Sequence, residues 1–321
     1  MKEDMSTSPL VSVIVVSCLK NDLLRSCIDS ILSQDYPNIE CLVYLNCSDK
    51  SKRSNFESKY KNVKFRNSED NDLFCKPLNS GIRESKGTYV LCLNDDIILS
   101  PDLIGICVNA MEKDPVVGIL GCCLIRPDKK TFDSCGLLWH PSRKPYDRGY
   151  GLKDSGGYSR GFIFGVNGAA AFFRRKTLED IKEGSEYFDE RYGIYYEDMD
   201  ISWRANIRGW RSFYEPSARA VHIRGASTRV VKRNIPIFLR NFAIGHIPHD
   251  LKVRLVRNRY ITILKNDRLL LFLRDLPWIL SYEIRLFFYL LFFDRAVLKD
   301  IVSDLSFIPY ALNRRRIKYA D

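Results

Sequence analysis

Short apolar runs and helical stripes alternate along the first two-thirds of the chain. Residues 10–18 (LVSVIVVSC) form an unbroken Val/Ile-rich run of strand length. Leu23, Leu24, Cys27, Ile28, Ile31 and Leu32 then recur at helical spacing over residues 22–33, with Asn21 placed to cap them. A Tyr36-Pro37-Asn38 turn leads into a second strand at 39–45, and Val63-Lys64-Phe65 reads as a short third strand. Residues 76–86 suit a helix ended by Gly87. Tyr89 to Leu93 form another buried-strand run, which breaks at Asn94-Asp95-Asp96 and resumes at 97–99. Ser100-Pro101 has the form of a helix start, with Ser as N-cap and Pro in the first position. Residues 116–124 read as a strand. Residues 126–157 are irregular and rich in Gly, Pro and aromatics, as in a long functional loop or small hairpin. GVNGAAAFF (165–173) is a small-residue loop feeding a strand. Residues 188–197 are aromatic and irregular. A helix opens at Glu197-Asp198-Met199-Asp200, carries the stripe Met199, Trp203, Ile207 and Trp210, and ends near Gly209; residues 211–222 read as the last strand. This order predicts an α/β fold: a doubly wound, mostly parallel sheet with helices on both faces.

The pattern changes from Ile235, where apolar and basic residues share long helical segments. Residues 278–293 are very apolar, but Glu283 and Arg285 interrupt them, short of the ~20 unbroken apolar residues of a membrane span. An amphipathic helix in the lipid interface fits this pattern, and a helical subdomain packed on the sheet is the alternative. Charge sharpens the division. Residues 226–321 hold 18 Lys/Arg against 8 Asp/Glu, whereas residues 1–225 hold 32 against 31. We therefore expect a catalytic domain over 1–228 and a basic helical region over 229–321 that faces an anionic membrane surface. No nucleic-acid module is evident, which argues against nucleic acid as the partner. The ten Cys form no C-x-x-C pair, and residues 1–8 are polar, so the chain reads as cytoplasmic with reduced thiols.

Acidic groups at the end of a buried strand are costly unless something binds them. In open α/β sheets ligands sit at that end, and a divalent cation shared with a diphosphate would satisfy Asn94-Asp95-Asp96. A plain Asn/Asp turn is the other explanation. Similar polar clusters recur at Asn46 to Asp49 and at Glu197 to Asp200, and one of the four His, His222, ends the last strand.

Taken in order, VSVIVVSC with IDSILSQDYPNIECLVYLNCS, TYVLCLNDDIILSPDLI, FDERYGIYYEDMDISWRANIRGW and PSARAVHIRGAS resemble the family 2 glycosyltransferases over roughly residues 10–265. Within the family the pattern is most like bacterial rhamnosyltransferases of envelope polysaccharide synthesis. The resemblance implies the glycosyltransferase A fold and an inverting, Mg²⁺- or Mn²⁺-dependent transfer from a nucleoside diphosphate sugar. The donor would be a dTDP- or UDP-sugar, with L-rhamnose from dTDP-rhamnose as one candidate. The acceptor would be a glycan, lipid-linked through a polyprenyl diphosphate, used by an enzyme peripheral on the inner face of the cell membrane. It implies Asp96 as first metal ligand, with His222 and Asn94 completing the site. Asn94 replaces a carboxylate of the D-x-D pair and would act through water. Asp198 falls at the general-base position, Glu197 would orient the acceptor or cap the helix, and Asp200 would be structural. Ser17, Cys18, Asn46, Ser48, Asp49, Asn94, Asp95, Gly168 and Ala169 would contact the donor nucleotide or line the cleft. Leu45 stands where the family has a nucleoside-contacting Asp, which leaves the base and ribose contacts unassigned. A sugar nucleotidyltransferase is a competing expectation, although the loop after the first strand lacks a Gly-rich basic signature. A catalytically inactive glycan-binding or scaffold protein is another, supported by Leu45 and Asn94.

Overall fold

The computed structural model describes residues 8–19, 23–46, 50–68, 72–224, 242, 244 and 247–315. The elements of the first half are β1 (Val11–Ser17), α1 (Leu23–Leu32), β2 (Ile39–Asn46), α2 (Lys50–Lys59), β3 (Lys64–Ser68), α3 (Cys75–Glu84), β4 (Tyr89–Asn94), β5 (Ile97–Leu99), α4 (Leu103–Lys113) and β6 (Val117–Ile125). Next come β7 (Phe132–Ser134), β8 (Leu137–Leu138), β9 (Tyr146–Asp147), β10 (Gly161–Ile163), β11 (Ala170–Arg174), α5 (Arg175–Ile181), α6 (Glu197–Ile207) and β12 (Arg211–His222). Four helices follow: α7 (His249–Asn266), α8 (Leu269–Phe293), α9 (Arg295–Ser303) and α10 (Phe307–Asn313).

The main path of the sheet runs β10-β12-β6-β11-β4-β1-β2-β3, with β5 paired to β12 and β7 to β6. β4, β1, β2 and β3 are mutually parallel, as are β6 and β12. β11 enters antiparallel between β4 and β6. Alternation along β1 divides the interior. Val11, Val13 and Val15 face a core shared with α1 and α4, and Ile14 and Val16 face one shared with α3, α5 and α6. Both faces are thus covered, which is why β1 has no polar face.

Several boundaries differ from the sequence pattern for local reasons. Ser100 is not the cap of α4. Its N–H donates to Arg219 O (3.0 Å) and keeps it in the sheet, so the helix begins at Leu103 after an Asp102 that makes no side-chain cap bond. α2 has Phe56 as its one apolar side chain apart from the Lys stems, too little for a stripe to reveal it. The 126–157 segment contains β7 and the small β8–β9 pair, Leu137 opposite Asp147 and Leu138 opposite Tyr146. α6 ends at Ile207, where Gly209 (φ +85°) turns the chain. Trp210 therefore lies beyond the helix, and its indole N–H donates to Asp180 Oδ2 (2.9 Å).

The helices after β12 serve two purposes. Ile261 of α7 and Phe307 and Ala311 of α10 are buried in the same core as α6. α8 is continuous over 25 residues and, by length and composition alone, apolar enough to cross a membrane. Glu283, which interrupts its apolar run, accepts hydrogen bonds from Arg259 Nε (2.8 Å) and Tyr260 OH (2.9 Å) of α7. Ile279, Leu286, Tyr289 and Leu290 of α8 pack inward, while Leu270, Trp278, Ile284, Phe288 and Phe292 remain exposed.

Candidate active site

The polar strand ends gather along the carboxyl edge of the sheet. At the end of β1, Ser17 Oγ donates to Asp95 Oδ2 (2.5 Å) and accepts from Leu19 N–H (3.1 Å). Cys18 beside it is half-buried. At the end of β2, Asn46 Nδ2 donates to Leu73 O (2.5 Å), and its Oδ1 is buried with no partner among the described residues. Ser48 and Asp49 lie outside the described residues. Asn94 closes β4 with its N–H donating to Ala169 O (2.9 Å), which sets the small-residue loop against the Asn94-Asp95-Asp96 corner.

β5 and β12 bring Asp96 and His222 together from far apart in the chain. His222 pairs with Ile97 across the ladder, and Ile223 N–H donates to Asp96 O (2.8 Å). His222 Nε2 then lies 3.4 Å from Asp96 Oδ1. That contact is an ion pair longer than an ordinary hydrogen bond, and the buried Asp96 Oδ1 has no hydrogen-bond partner among the described residues. On its other side, His222 Nδ1 is 2.6 Å from Asp133 Oδ2. Asp133 Oδ1 accepts from Arg224 Nε (2.7 Å). Burial alone would lower the His222 pKa, but Asp133 and Asp96 outweigh it and hold it up at about 9. For Asp133 burial acts upward, and His222 and Arg224 overcome it to leave the carboxyl below its ordinary range.

These groups fit a hard divalent cation. A carboxylate bound to the far nitrogen fixes the ring orientation, so that Nε2 would become a ligand once it gives up its proton to an arriving cation. The orphaned Asp96 oxygen faces that nitrogen. No three His, Cys, Asp or Glu side chains converge as a cation cage among the described residues. A cation held by Asp96 and His222 would therefore take its remaining oxygens from a diphosphate and water, the usual habit of Mg²⁺.

The Glu-Asp segment approaches through Gly168. Asp198 Oδ2 accepts from Gly168 N–H (3.2 Å) and Oδ1 from Met199 N–H (2.7 Å). Glu197 is buried, and its Oε2 has no hydrogen-bond partner among the described residues. Burial first, then the charge of Asp198, raises the Glu197 pKa; burial first, then the charge of Asp147, raises that of Asp198. Asp147 accepts from Asn167 Nδ2 (2.8 Å) and lies 3.8 Å from Arg224 NH2. The chain of contacts thus runs from Asp198 through Gly168, Asn167, Asp147, Arg224 and Asp133 to His222 and Asp96. Tyr195 and Tyr196, just before the helix, both sit at φ +71°. That conformation costs about 1–2 kcal/mol per residue and persists only where surroundings impose it. Asn258 of α7 imposes it: its Nδ2 is 2.9 Å from the carbonyls of Tyr192, Ile194 and Tyr195 and donates to them. Asp200, in the first turn of α6, is structural, paired with Arg204 and Lys265.

Asp133, Asp147, Asn167, Arg224 and Asn258 are the residues that sequence patterning did not single out. Arg224 stands two residues after His222 inside a recognised motif. Asp133 and Asp147 fall in the segment already marked as a functional loop.

A Cβ added at Gly168 would stand 3.3 Å from Asp198 Cβ and 3.4 Å from Glu197 Oε1. Gly168→Ala should displace Asp198 by a few tenths of an ångström. We expect turnover to fall roughly tenfold or more with little change in melting temperature, measured by steady-state transfer and thermal unfolding.

The fold is that of the glycosyltransferase A enzymes, mixed in strand direction and carrying its polar strand ends on one edge. The chain belongs to Glycosyl transferase family 2, whose profile matches residues 12–181. It is 26% identical over 237 residues to the O-antigen biosynthesis protein RfbC of Myxococcus xanthus, covering 69% of this chain and 18% of that protein. It is 27% identical over 155 residues to the N-acetylglucosaminyl-diphospho-decaprenol L-rhamnosyltransferase of Mycobacterium tuberculosis, covering 44% of this chain and 48% of that one. The alignments thus span half or less of these relatives' own lengths. Among solved structures, the mannosyltransferase PcManGT of Pyrobaculum calidifontis, in complex with GDP-Man and Mn²⁺, aligns with a TM-score of 0.51 at 16% identity, covering 97% of this chain and 85% of that one. GalNAc-T7 with UDP, GalNAc and Mn²⁺ aligns with a TM-score of 0.56 at 14% identity, covering 92% and 58%.

Proposed function

We propose that this enzyme transfers a sugar, with inversion, from a nucleoside diphosphate donor to a glycan acceptor carried on a polyprenyl diphosphate in envelope polysaccharide synthesis. The observation that carries this reading is the Asp96–His222 pair, whose buried Asp96 oxygen has no hydrogen-bond partner among the described residues, beside an Asn94 that bonds Ala169 next to the Gly168 that holds Asp198. L-Rhamnose from dTDP-rhamnose is the first donor to test, supported by the similarity to the rhamnosyltransferase; a UDP-sugar is the second.

Asp96 and His222 would hold Mg²⁺ or Mn²⁺, with Asn94 assisting through water. Bound there, the cation neutralises charge developing on the leaving diphosphate. Ser17 and Asp95, locked together at the end of β1, would present the nucleotide edge of the cleft, with Cys18 and Asn46 beside them. The backbone at Gly168 and Ala169 leaves room for the sugar. Asp198 accepts the proton of the attacking hydroxyl. Glu197, whose raised pKa favours the neutral acid, donates a hydrogen bond to the acceptor. Thermal unfolding across a panel of nucleotide sugars, with and without Mn²⁺, tests the reading. A metal-dependent rise in melting temperature for one donor supports it. No rise for any nucleoside diphosphate sugar counts against it.

The exposed face of α8 and the basic charge of residues 226–321 support attachment to an anionic membrane. Because α8 is pinned to α7 at Glu283, we take it to lie along the interface rather than across the bilayer. Flotation with vesicles containing phosphatidylglycerol should recover the full chain. The pair Trp278→Gln and Phe292→Gln, at positions 54% and 63% exposed, should reduce the bound fraction severalfold without lowering the melting temperature. Equal recovery would sink the attachment surface.

A further inference from the structure

The chain leaves β6 at Ile125 and turns at once: Arg126 N–H donates to Thr131 O (2.8 Å), folding residues 126–131 back into β7. A cavity of about 510 Å³ opens between this turn, Tyr150 and the end of β12, and Arg126, Asp133, Tyr150, His222 and Arg224 line it. Both guanidiniums lie against the Tyr150 ring, Arg126 Cζ 4.7 Å and Arg224 Cζ 5.0 Å from its centroid. Tyr150 itself is exposed.

The side chains lining this cavity are mostly basic: Arg126, His222 and Arg224. Asp133 is the one carboxylate among the described lining residues, and Asp96 stands beside His222 at 3.4 Å. Asp133 Oδ1 binds Arg224 at 2.7 Å and lies 3.9 Å from Arg126 Nε, outside hydrogen-bonding distance, while its Oδ2 is taken by His222. Asp147 stands behind Arg224 at 3.8 Å. Each guanidinium carries five N–H donors in a planar fork that matches phosphate oxygens. Stacking on one aromatic ring holds two such forks together and away from full pairing with Asp133.

We propose that Arg126, Tyr150 and Arg224 form a clamp for a diphosphate ester beside the Asp96–His222 pair. The choice of a diphosphate, rather than another anion, rests on the transferase reading above. Two sources share this chemistry: the donor's nucleoside diphosphate, and the diphosphate joining the acceptor glycan to its lipid. The clamp meets the Asp96–His222 pair at His222, and Asp95, next to Asp96, accepts from Ser17 at the end of β1, so the clamp is open to a donor diphosphate as well as to an acceptor one.

Calorimetric titration of the full chain with inorganic pyrophosphate, dTDP and farnesyl diphosphate, with and without Mn²⁺, tests the proposal. Arg224→Gln would uncover the buried Asp133, so Arg126→Gln and Tyr150→Leu carry the test. Each should weaken pyrophosphate binding roughly tenfold or more, the scale of a lost charge-assisted contact, at unchanged melting temperature. A parallel loss for dTDP assigns the clamp to the donor. A parallel loss for farnesyl diphosphate alone assigns it to the lipid-linked acceptor. Absence of pyrophosphate binding, equal affinity in wild type and Arg126→Gln, or a loss confined to pyrophosphate overturns the proposal. Arg126-dependent binding without turnover of any nucleotide sugar would sink the proposed reaction and leave the clamp standing.

Discussion

Asp198→Asn is expected to lower sugar transfer by at least about 100-fold, the scale of a lost general base, while donor binding stays intact. The substitution keeps the shape of the side chain and one acceptor oxygen, so the hydrogen bonds from Gly168 and Met199 N–H can persist in part. It removes the site that takes up the proton. Calorimetry with the donor nucleotide, beside single-turnover transfer, separates the two effects. An equal loss of donor affinity would argue that Asp198 shapes the site rather than acting as base. The pH profile gives a second readout. Burial and Asp147 raise the Asp198 pKa, and a base works only when deprotonated. The acid limb of kcat/KM should therefore lie above the ordinary carboxylate range, with activity rising as pH rises through it. Asp147→Asn removes a repelling charge and should move that limb to lower pH. Glu197→Gln provides the contrast. Burial pushes that carboxyl toward its neutral form, which an amide mimics, so its effect should be much smaller.

What the chain discloses without coordinates follows from how local each signal is. β1 and β4 are buried on both faces and read as unbroken apolar runs. α1 carries its stripe in sequence. α2 leaves no such trace because little of it meets the core, and the cap of α4 fails because a tertiary contact, Ser100 to Arg219, competes for the same residue. The site divides in the same way. Asp96, Asp198 and His222 stand at strand ends or a helix start and inside recognisable motifs. Asp133 and Asp147 matter through what they touch in space, His222 and Arg224 for the first, Asn167 and Arg224 for the second. Their segment is irregular, so no period marks them. The tail shows the same limit. Its alternation of basic and apolar residues suggested a lipid surface, yet Asn258, Arg259 and Lys265 point inward, where they organise α6 and its preceding loop.

Lys265→Met should destabilise the fold strongly. The Lys265 ammonium is 1% exposed and lies 2.8 Å from Asp189, 3.1 Å from Asp200 and 3.2 Å from Glu183. Burial alone would lower its pKa, but Asp200 and Asp189 outweigh that and keep it charged. Removing the ammonium leaves these carboxylates buried with Arg204 and Arg314 as the remaining cations, the first on Asp200 and the second 3.4 Å from Glu183. Breaking a buried ion pair from one side costs about 3–5 kcal/mol, or a fall of roughly 4–7 °C in Tm for a chain of this size. The exposed pair Lys182–Glu179 is the control, since Lys182→Met should change stability by less than about 1 kcal/mol. The deficit in the Lys265 variant should depend on pH in a fixed direction. Lys265 is the first of the cations that hold the Asp200 carboxyl below its ordinary range against burial, so its loss raises the Asp200 pKa, and the deficit shrinks as pH falls through the carboxylate range and is full as pH rises above it. Chemical unfolding of both variants at neutral and mildly acidic pH measures this. A Lys265 variant that unfolds with the wild type at both pH values would show that the network between α7 and α6 contributes nothing net. Because Asp200 and Asn258 tie α7 to the first turn of α6 and the loop before it, transfer should fall with stability in this variant, and mild acid should recover part of the fold without restoring Asp198 to its ionised form.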